Sequence, residues 1–224
     1  MIYTYREPEQ GEQIVIAADP AEGNDYSAWV ALSKRTADVI MIGKSKEESS
    51  QLGHTINHVG KWINARTNIF PSIGVERNVG SATIYVLKTL NYPNIFKMPD
   101  SFTKRTDQEQ HEKYGWHTNT ATRPKMLDDL ALAIRQKAIK IPSKILIDEL
   151  YTFVRNEKTG KPEAEVGCHD DLVISLAIAW QMYSLVGVDY SLQTKIQPPN
   201  PFDYIRIGEP DRVYPKERNF RIGE

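Results

Sequence analysis

Residues 14–25 read Ile-Val-Ile-Ala-Ala-Asp-Pro-Ala-Glu-Gly-Asn-Asp and join a short apolar run to a dense cluster of turn-forming residues. A continuous apolar run of this length is typical of a central strand that is buried on both faces. The run ends at Asp19, so the sequence predicts a carboxylate where a buried strand meets its turn. The β-rich segments Tyr26–Ser33 and Val39–Lys44 follow, separated by a polar turn, and the three segments together predict an antiparallel meander.

Helical and strand-like segments alternate after the meander. Residues 50–66 carry apolar side chains at helical spacing, residues 70–75 have the composition of a strand, and residues 80–90 predict a second helix. Further predicted helices begin near residues 124, 146 and 170. This order of elements predicts an α/β domain built on a mixed central sheet.

The composition limits the class of protein. The chain has 224 residues, a formal net charge of -1 and 40% hydrophobic residues, as is ordinary for a soluble globular domain. No apolar run approaches the ~18 residues of a membrane span, and the N-terminus lacks the apolar segment of a secretory signal. The single cysteine, Cys168, cannot form an internal disulfide and is typical of a reducing cytosol.

Four carboxylates occupy places where strands end or a helix begins. Asp19 ends the first buried strand, Glu76 ends the strand over residues 72–75, and Asp170 and Asp171 open the last helix. If the first and fourth strands are neighbours, Asp19 and Glu76 lie side by side at one edge of the sheet, and the last helix can bring its acids to the same point. Clustered carboxylates of this kind suit Mg²⁺ or Mn²⁺. For any one acid alone, helix capping or a solvated turn is an equally good interpretation.

The segments around these acids resemble the nuclease domain of the large terminase subunit of tailed bacteriophages. The resemblance covers most of residues 14–185, and the order and spacing of its segments make it specific. Four segments carry it: residues 18–28 (ADPAEGNDYSA), 74–78 (GVERN), 114–119 (YGWHTN) and 167–173 (GCHDDLV).

This resemblance implies a ribonuclease H-like fold, a mixed central β-sheet flanked by helices on both faces. It also implies a DNA endonuclease that uses two Mg²⁺ or Mn²⁺ ions and cuts concatemeric viral DNA during packaging, with little sequence specificity. The implied catalytic residues and metal ligands are Asp19, Glu76, Asp170 and Asp171, with Asp171 favoured over Asp170 as the main third ligand. Two alternatives stay open: a non-catalytic docking module of a packaging motor, or another ribonuclease H-like nuclease such as a junction resolvase.

The expected partners are those of a packaging machine. They are double-stranded DNA, a terminase ATPase domain, the small terminase subunit and the portal protein, in the host cell cytoplasm. The Gly-x-x-x-x-Gly-Lys-Ser/Thr loop of an ATPase motor does not occur in this sequence, which favours an isolated nuclease domain. We therefore expect a linker over residues 1–13, the nuclease over residues 14–190 and a Pro-rich tail over residues 191–224.

Several further residues are candidates for supporting roles. Asp25, in the turn after Asp19, and His169, beside the acid pair, are predicted to lie behind the metal ligands, although a turn-capping role for Asp25 and a surface position for His169 are the alternatives. Residues 98–122 predict a long irregular loop that is either functional or mobile. The basic residues predicted to contact DNA phosphates are Lys104, Arg105, Arg123, Lys125, Arg155, Lys158 and Lys161.

Overall fold

A computed structural model describes residues 1–21, 25–99, 114–156 and 160–187, together with the backbone of residues 218–219. The predicted contacts Lys104, Arg105 and Lys158 and most of the predicted loop over residues 98–122 lie outside these ranges. The strands are β1 Ile2–Thr4, β2 Ile14–Asp19, β3 Ser27–Ser33, β4 Val39–Ser45, β5 Ser72–Val75, β6 Phe153–Arg155, β7 Pro162–Ala164 and β8 Arg218–Asn219. The helices are α1 Ser49–Thr67, α2 Ser81–Thr89, α3 Thr122–Arg135, α4 Lys144–Thr152 and α5 Asp171–Leu185.

The central sheet confirms the predicted mixed topology. Its strand order is β5-β2-β3-β4-β1-β8, and β6 and β7 form a separate hairpin. β2, β3 and β4 pair antiparallel as the predicted meander, whereas β5 pairs parallel to β2 with Ala18 opposite Val75. The parallel pair brings the carboxyl ends of β2 and β5 to the same edge of the sheet.

Helices cover both faces of the sheet, as predicted. On one face, α1 and α2 pack against the alternate residues Ile14, Ile16 and Ala18 of β2. On the other face, α3, α4 and α5 pack against Val15 and Ala17. α5 is buried along almost its whole length because it lies across β2 and β3 beneath the other two helices. None of the helices in the described ranges has both the length and the hydrophobicity needed to cross a membrane.

The segment over residues 1–13, predicted to be a linker, contains a strand of the central sheet. Ile2–Thr4 forms β1, which pairs antiparallel with β4. Glu12 is 1% exposed and is held by the guanidinium of Arg6, the backbone N–H of Glu9 and the hydroxyl of Ser33. The three residues of β1 are too few to give a strand signal in the sequence. The strand forms because it pairs with β4, nearly forty residues further along the chain.

Gly115 allows the chain to pass close beside β5. Its φ of 79° lies in the left-handed region, and a Cβ at this position would lie 2.4 Å from the carbonyl oxygen of Val75. The two neighbours of Gly115 reach opposite faces of the sheet: Tyr114 packs with the cluster around α1 and α2, and Trp116 is buried beside α5. This local turn fixes the sheet edge that carries Glu76, which bridges to Trp116.

Candidate functional site

Two carboxylates lie on the α5 face of the sheet at neighbouring strand ends. Asp19 is the last residue of β2. Since alternate residues of a strand point to the same face, its side chain lies on the α5 face together with those of Val15 and Ala17. Glu76 directly follows β5 and its N–H donates to the carbonyl oxygen of Ala18 at 2.8 Å. The register therefore places Glu76 beside Asp19, near enough for its charge to act on the Asp19 carboxyl.

The first turn of α5 brings two more acids to the same place. Asp170 is the residue before the helix, and its carbonyl oxygen accepts the N–H of Ile174 at 2.9 Å, while Asp171 is the first helical residue. Both are close enough for their charge to act on Asp19. The predicted set of Asp19, Glu76, Asp170 and Asp171 thus meets at one edge of the sheet.

The four acids repel one another in the metal-free protein. The pKa of Asp19 is raised well above its ordinary value, chiefly because the carboxyl is buried. The negative charges of Glu76 and, to a smaller extent, of Asp171 and Asp170 raise it further. No lysine, arginine or histidine forms an ion pair with Asp19 or Glu76 within the described residues. A divalent cation would remove this repulsion, and a set made only of carboxylate oxygens has the donor chemistry of a Mg²⁺ or Mn²⁺ site.

Lys44 and Glu149 also belong to the site, and neither was among the residues predicted from the sequence. The Nζ of Lys44 lies 2.6 Å from Oε1 of Glu149 and 2.9 Å from Oδ2 of Asp171. The second oxygen of Glu149 accepts the N–H of Leu172 at 2.9 Å, in the first turn of α5. The one signal in the sequence is a lysine that closes the apolar run of β4, since the partners on α4 and α5 are far away along the chain.

The charges of this group compensate one another only in part. Burial raises the pKa of both Glu149 and Asp171, although Lys44 opposes the shift in each case. Burial works against the ammonium of Lys44 as well, but its contacts with Glu149 and Asp171 leave the pKa of Lys44 raised. The ion pair of Lys44 with Glu149 thus lies directly beside Asp171.

Asp171 also belongs to a cluster of ligand atoms that includes Asp25 and His169. One ligand atom each of Asp25, His169 and Asp171 lies within 4.8 Å of the others. His169 Nδ1 is 3.6 Å from Oδ1 of Asp25 and 3.8 Å from Oδ2 of Asp171, and its ring packs edge-on against Tyr26. Asp25 also accepts the N–H of Tyr26 at 2.9 Å, so the turn-capping contact and the proximity to the site occur together.

The predicted DNA contacts lie at different distances from the acids. Arg123, at the start of α3, contacts Asp170 at 3.4 Å and is part of the site. Lys125 instead pairs with Asp129 at 2.6 Å on the exposed side of α3. Arg155 belongs to the β6–β7 hairpin and donates to the carbonyl oxygen of Gly160, while Lys161 is an exposed residue of the same hairpin.

Comparisons with known proteins identify the fold. No protein-family model matches the sequence, and no curated protein matches it. The crystal structure of the large terminase nuclease from thermophilic phage G20c matches with a TM-score of 0.60 and 20% identity, covering 79% of this chain and 86% of that chain. Its magnesium-bound form matches with a TM-score of 0.59 and 17% identity, covering 80% of this chain and 86% of that chain. The large terminase nuclease domain of Thermus phage P74-26 matches with a TM-score of 0.58 and 19% identity, covering 80% of this chain and 82% of that chain. The chain therefore has the fold of the nuclease domains of large terminase subunits.

Proposed function

We propose that this protein is a metal-dependent endonuclease of the large terminase type, which cuts concatemeric double-stranded DNA during viral genome packaging. The observation that carries the proposal is the convergence of Asp19, Glu76, Asp170 and Asp171 at one sheet edge in this fold. The G20c nuclease holds magnesium in its crystal structure, which supports a divalent cation as the cofactor here. A nuclease of a terminase complex acts together with other components of the packaging machine. The expected partners are therefore DNA, an ATPase motor, a small terminase subunit and a portal.

The acids differ in how much they need a cation. Asp171 already has Lys44 as a counterion, and Asp170 has Arg123. Asp19 and Glu76 lie at adjacent strand ends, and neither forms an ion pair among the described residues, so this pair would gain most from a divalent ion. Asp171 and Asp170 would complete the ligand set.

The reaction is hydrolysis of a phosphodiester by water. Two divalent ions, when bound, would supply an activated water and stabilise the leaving oxygen, so no side chain would have to act as a nucleophile. Glu76, 9% exposed, and Asp171, 7% exposed, provide rigid buried carboxylates. Arg123 lies at the open side of the acid cluster, where its guanidinium can contact a DNA phosphate when it leaves Asp170.

The experiment that tests the proposal is plasmid cleavage with Mn²⁺, Mg²⁺ or EDTA. Asp19→Asn removes one carboxylate charge from the site, and Asp128→Asn makes the same change at an exposed position of α3 as a matched control. We expect nicking and linearisation by the wild type and the control in either metal, and none in EDTA or with Asp19→Asn. Cleavage that persists in Asp19→Asn contradicts the assignment of the site. A strong preference for branched over linear DNA favours a junction resolvase instead.

A further inference from the structure

Lys44 is enclosed by three side chains from different elements. Its Nζ contacts Glu149 of α4 and Asp171 of α5, and it lies 4.9 Å from the centre of the ring of Tyr26. The side chain of Lys44 is only 15% exposed and that of Glu149 only 8%. A long flexible side chain held in this way has one position, so the location of its charge is fixed by the fold.

The strand register explains why this lysine reaches the acids. Asp19 pairs with Ala28, and Ala28 pairs with Lys44, so the three residues stand in one row across β2, β3 and β4. Paired residues on adjacent strands point to the same face of a sheet, and Ala28 is buried on the α5 face. Lys44 therefore approaches the start of α5 from the sheet, at the same level as Asp19.

Glu149 connects the lysine to the helix that carries the acids. One of its oxygens contacts Nζ of Lys44, and the other accepts the N–H of Leu172, the residue after Asp171. The first turn of a helix has backbone N–H groups without intrahelical partners, so this bond ties the start of α5 to α4. The ion pair and the hydrogen bond together fix both the charge beside Asp171 and the backbone that holds it.

We infer that Lys44 and Glu149 are positioning residues that hold Asp171 ready to bind the catalytic cation through one oxygen. This inference rests on the proposed nuclease function. Oδ2 of Asp171 is buried and has no hydrogen-bond partner, but it faces the ammonium of Lys44 in an ion pair of 2.9 Å, while the side chain as a whole is 10% exposed. The charge of Lys44 thus faces one oxygen of the carboxylate, which would leave Oδ1 for a cation.

The test is the double variant Lys44→Met/Glu149→Gln. It removes one positive and one negative charge, so the net charge of the site is unchanged and a simple electrostatic effect on cation binding cancels. The glutamine amide oxygen can still accept the N–H of Leu172, which preserves the start of α5. The matched control is Lys144→Met/Asp148→Asn, which removes an exposed ion pair of 2.8 Å from the same helix.

The measurements are Mn²⁺ binding by calorimetry, thermal unfolding in EDTA, and DNA cleavage over a range of Mn²⁺ concentrations. We expect the double variant to bind Mn²⁺ about tenfold more weakly or worse, as is usual when a group that orients a metal ligand is removed. Its melting temperature in EDTA should stay close to that of the wild type, because replacing both members of a buried ion pair is often neutral. The control should bind Mn²⁺ and cleave DNA like the wild type.

The outcomes separate this inference from the proposed function. A wild type that neither binds Mn²⁺ nor cleaves DNA overturns the proposed function. A wild type that binds Mn²⁺, together with a double variant of equal Mn²⁺ affinity, overturns only the positioning role and makes the pair purely structural. Should the double variant fail to fold, Lys44→Met alone decides. It removes a positive charge, which by electrostatics alone would tighten Mn²⁺ binding, so weaker binding supports the inference and an unchanged or tighter affinity overturns it.

Discussion

Replacing Asp19 by asparagine should make the metal-free protein more stable while it abolishes metal binding. Asn has the size of Asp, and its amide can donate a hydrogen bond to a neighbouring carboxylate such as that of Glu76. What disappears is one negative charge from a group of four. A variant that gains stability as it loses activity is the expected mark of a site built to hold a cation.

The magnitude follows from the contact between the carboxyls of Asp19 and Glu76. Two unit charges about 4 Å apart interact by about 4 kcal/mol at an effective dielectric constant near 20. A proton taken up by the acids relieves part of this, since burial and Glu76 raise the pKa of Asp19 well above its ordinary value. We therefore expect a gain of about 1–3 kcal/mol in the free energy of unfolding, which corresponds to roughly 2–4 °C per kcal/mol in a domain of this size.

The assay is thermal and urea-induced unfolding at neutral pH, in EDTA and in excess Mn²⁺. Asp19→Asn should melt above the wild type in EDTA, and added Mn²⁺ should raise the melting temperature of the wild type far more than that of the variant. The control Asp128→Asn should match the wild type in both conditions. A wild type and Asp19→Asn with the same stability in EDTA would show that the carboxylates are too far apart or too well solvated to repel.

Three further predictions concern pH, the N-terminal segment and a close packing contact. In EDTA, thermal stability of the wild type should rise as the pH falls through the raised folded pKa of Asp19 towards the ordinary pKa of an aspartate, because Asp19 takes up its proton in the folded protein first. This rise should be smaller in Asp19→Asn. Glu12→Ala should lower the free energy of unfolding by about 2–4 kcal/mol in urea titrations, since it leaves buried donors without their acceptor; an effect below about 1 kcal/mol would show that these contacts do not stabilise the fold. Gly43→Ala should cost about 1–3 kcal/mol, because its Cβ would lie 2.2 Å from the buried indole of Trp29, whereas Gly187→Ala, with no neighbour within 4 Å, should be neutral by the same titration.

The parts of the fold with strong local signals were predictable from sequence. The apolar run that ends at Asp19 and the helical spacing over residues 50–66 specify their elements with no help from distant residues. The convergence of Asp19 with Glu76 needed only one more step, namely that two parallel neighbours end at the same sheet edge. The position of Asp170 and Asp171 was also predictable from a local signal, because the apolar pattern of α5 begins directly after them.

The features that escaped prediction depend on contacts between distant parts of the chain. Lys44 and Glu149 are 105 residues apart and meet only because α4, which packs against α5, brings Glu149 to the end of β4. A lysine at a strand end is most often solvated, so its sequence position alone does not distinguish a buried ion pair from a surface charge. The order of β1 and Glu12 was not predicted for the same reason. The segment is rich in turn-forming residues, and its structure depends on contacts with other parts of the chain.

The unequal distribution of countercharge leads to a last prediction, on the ranking of the four acids. Burial raises the pKa of Asp171 as it does that of Asp19, but Lys44 opposes the shift at Asp171 and no described cation does so at Asp19. Asp171 also opens α5, where a negative charge is favoured by the helix dipole. Asp171→Asn should therefore stabilise the metal-free protein less than Asp19→Asn in the same melts, although both variants should lose cleavage. Equal gains would mean that Lys44 neutralises Glu149 alone, and a larger gain for Asp171→Asn would place the strongest repulsion, and with it the first cation, at the helix rather than at the strand ends.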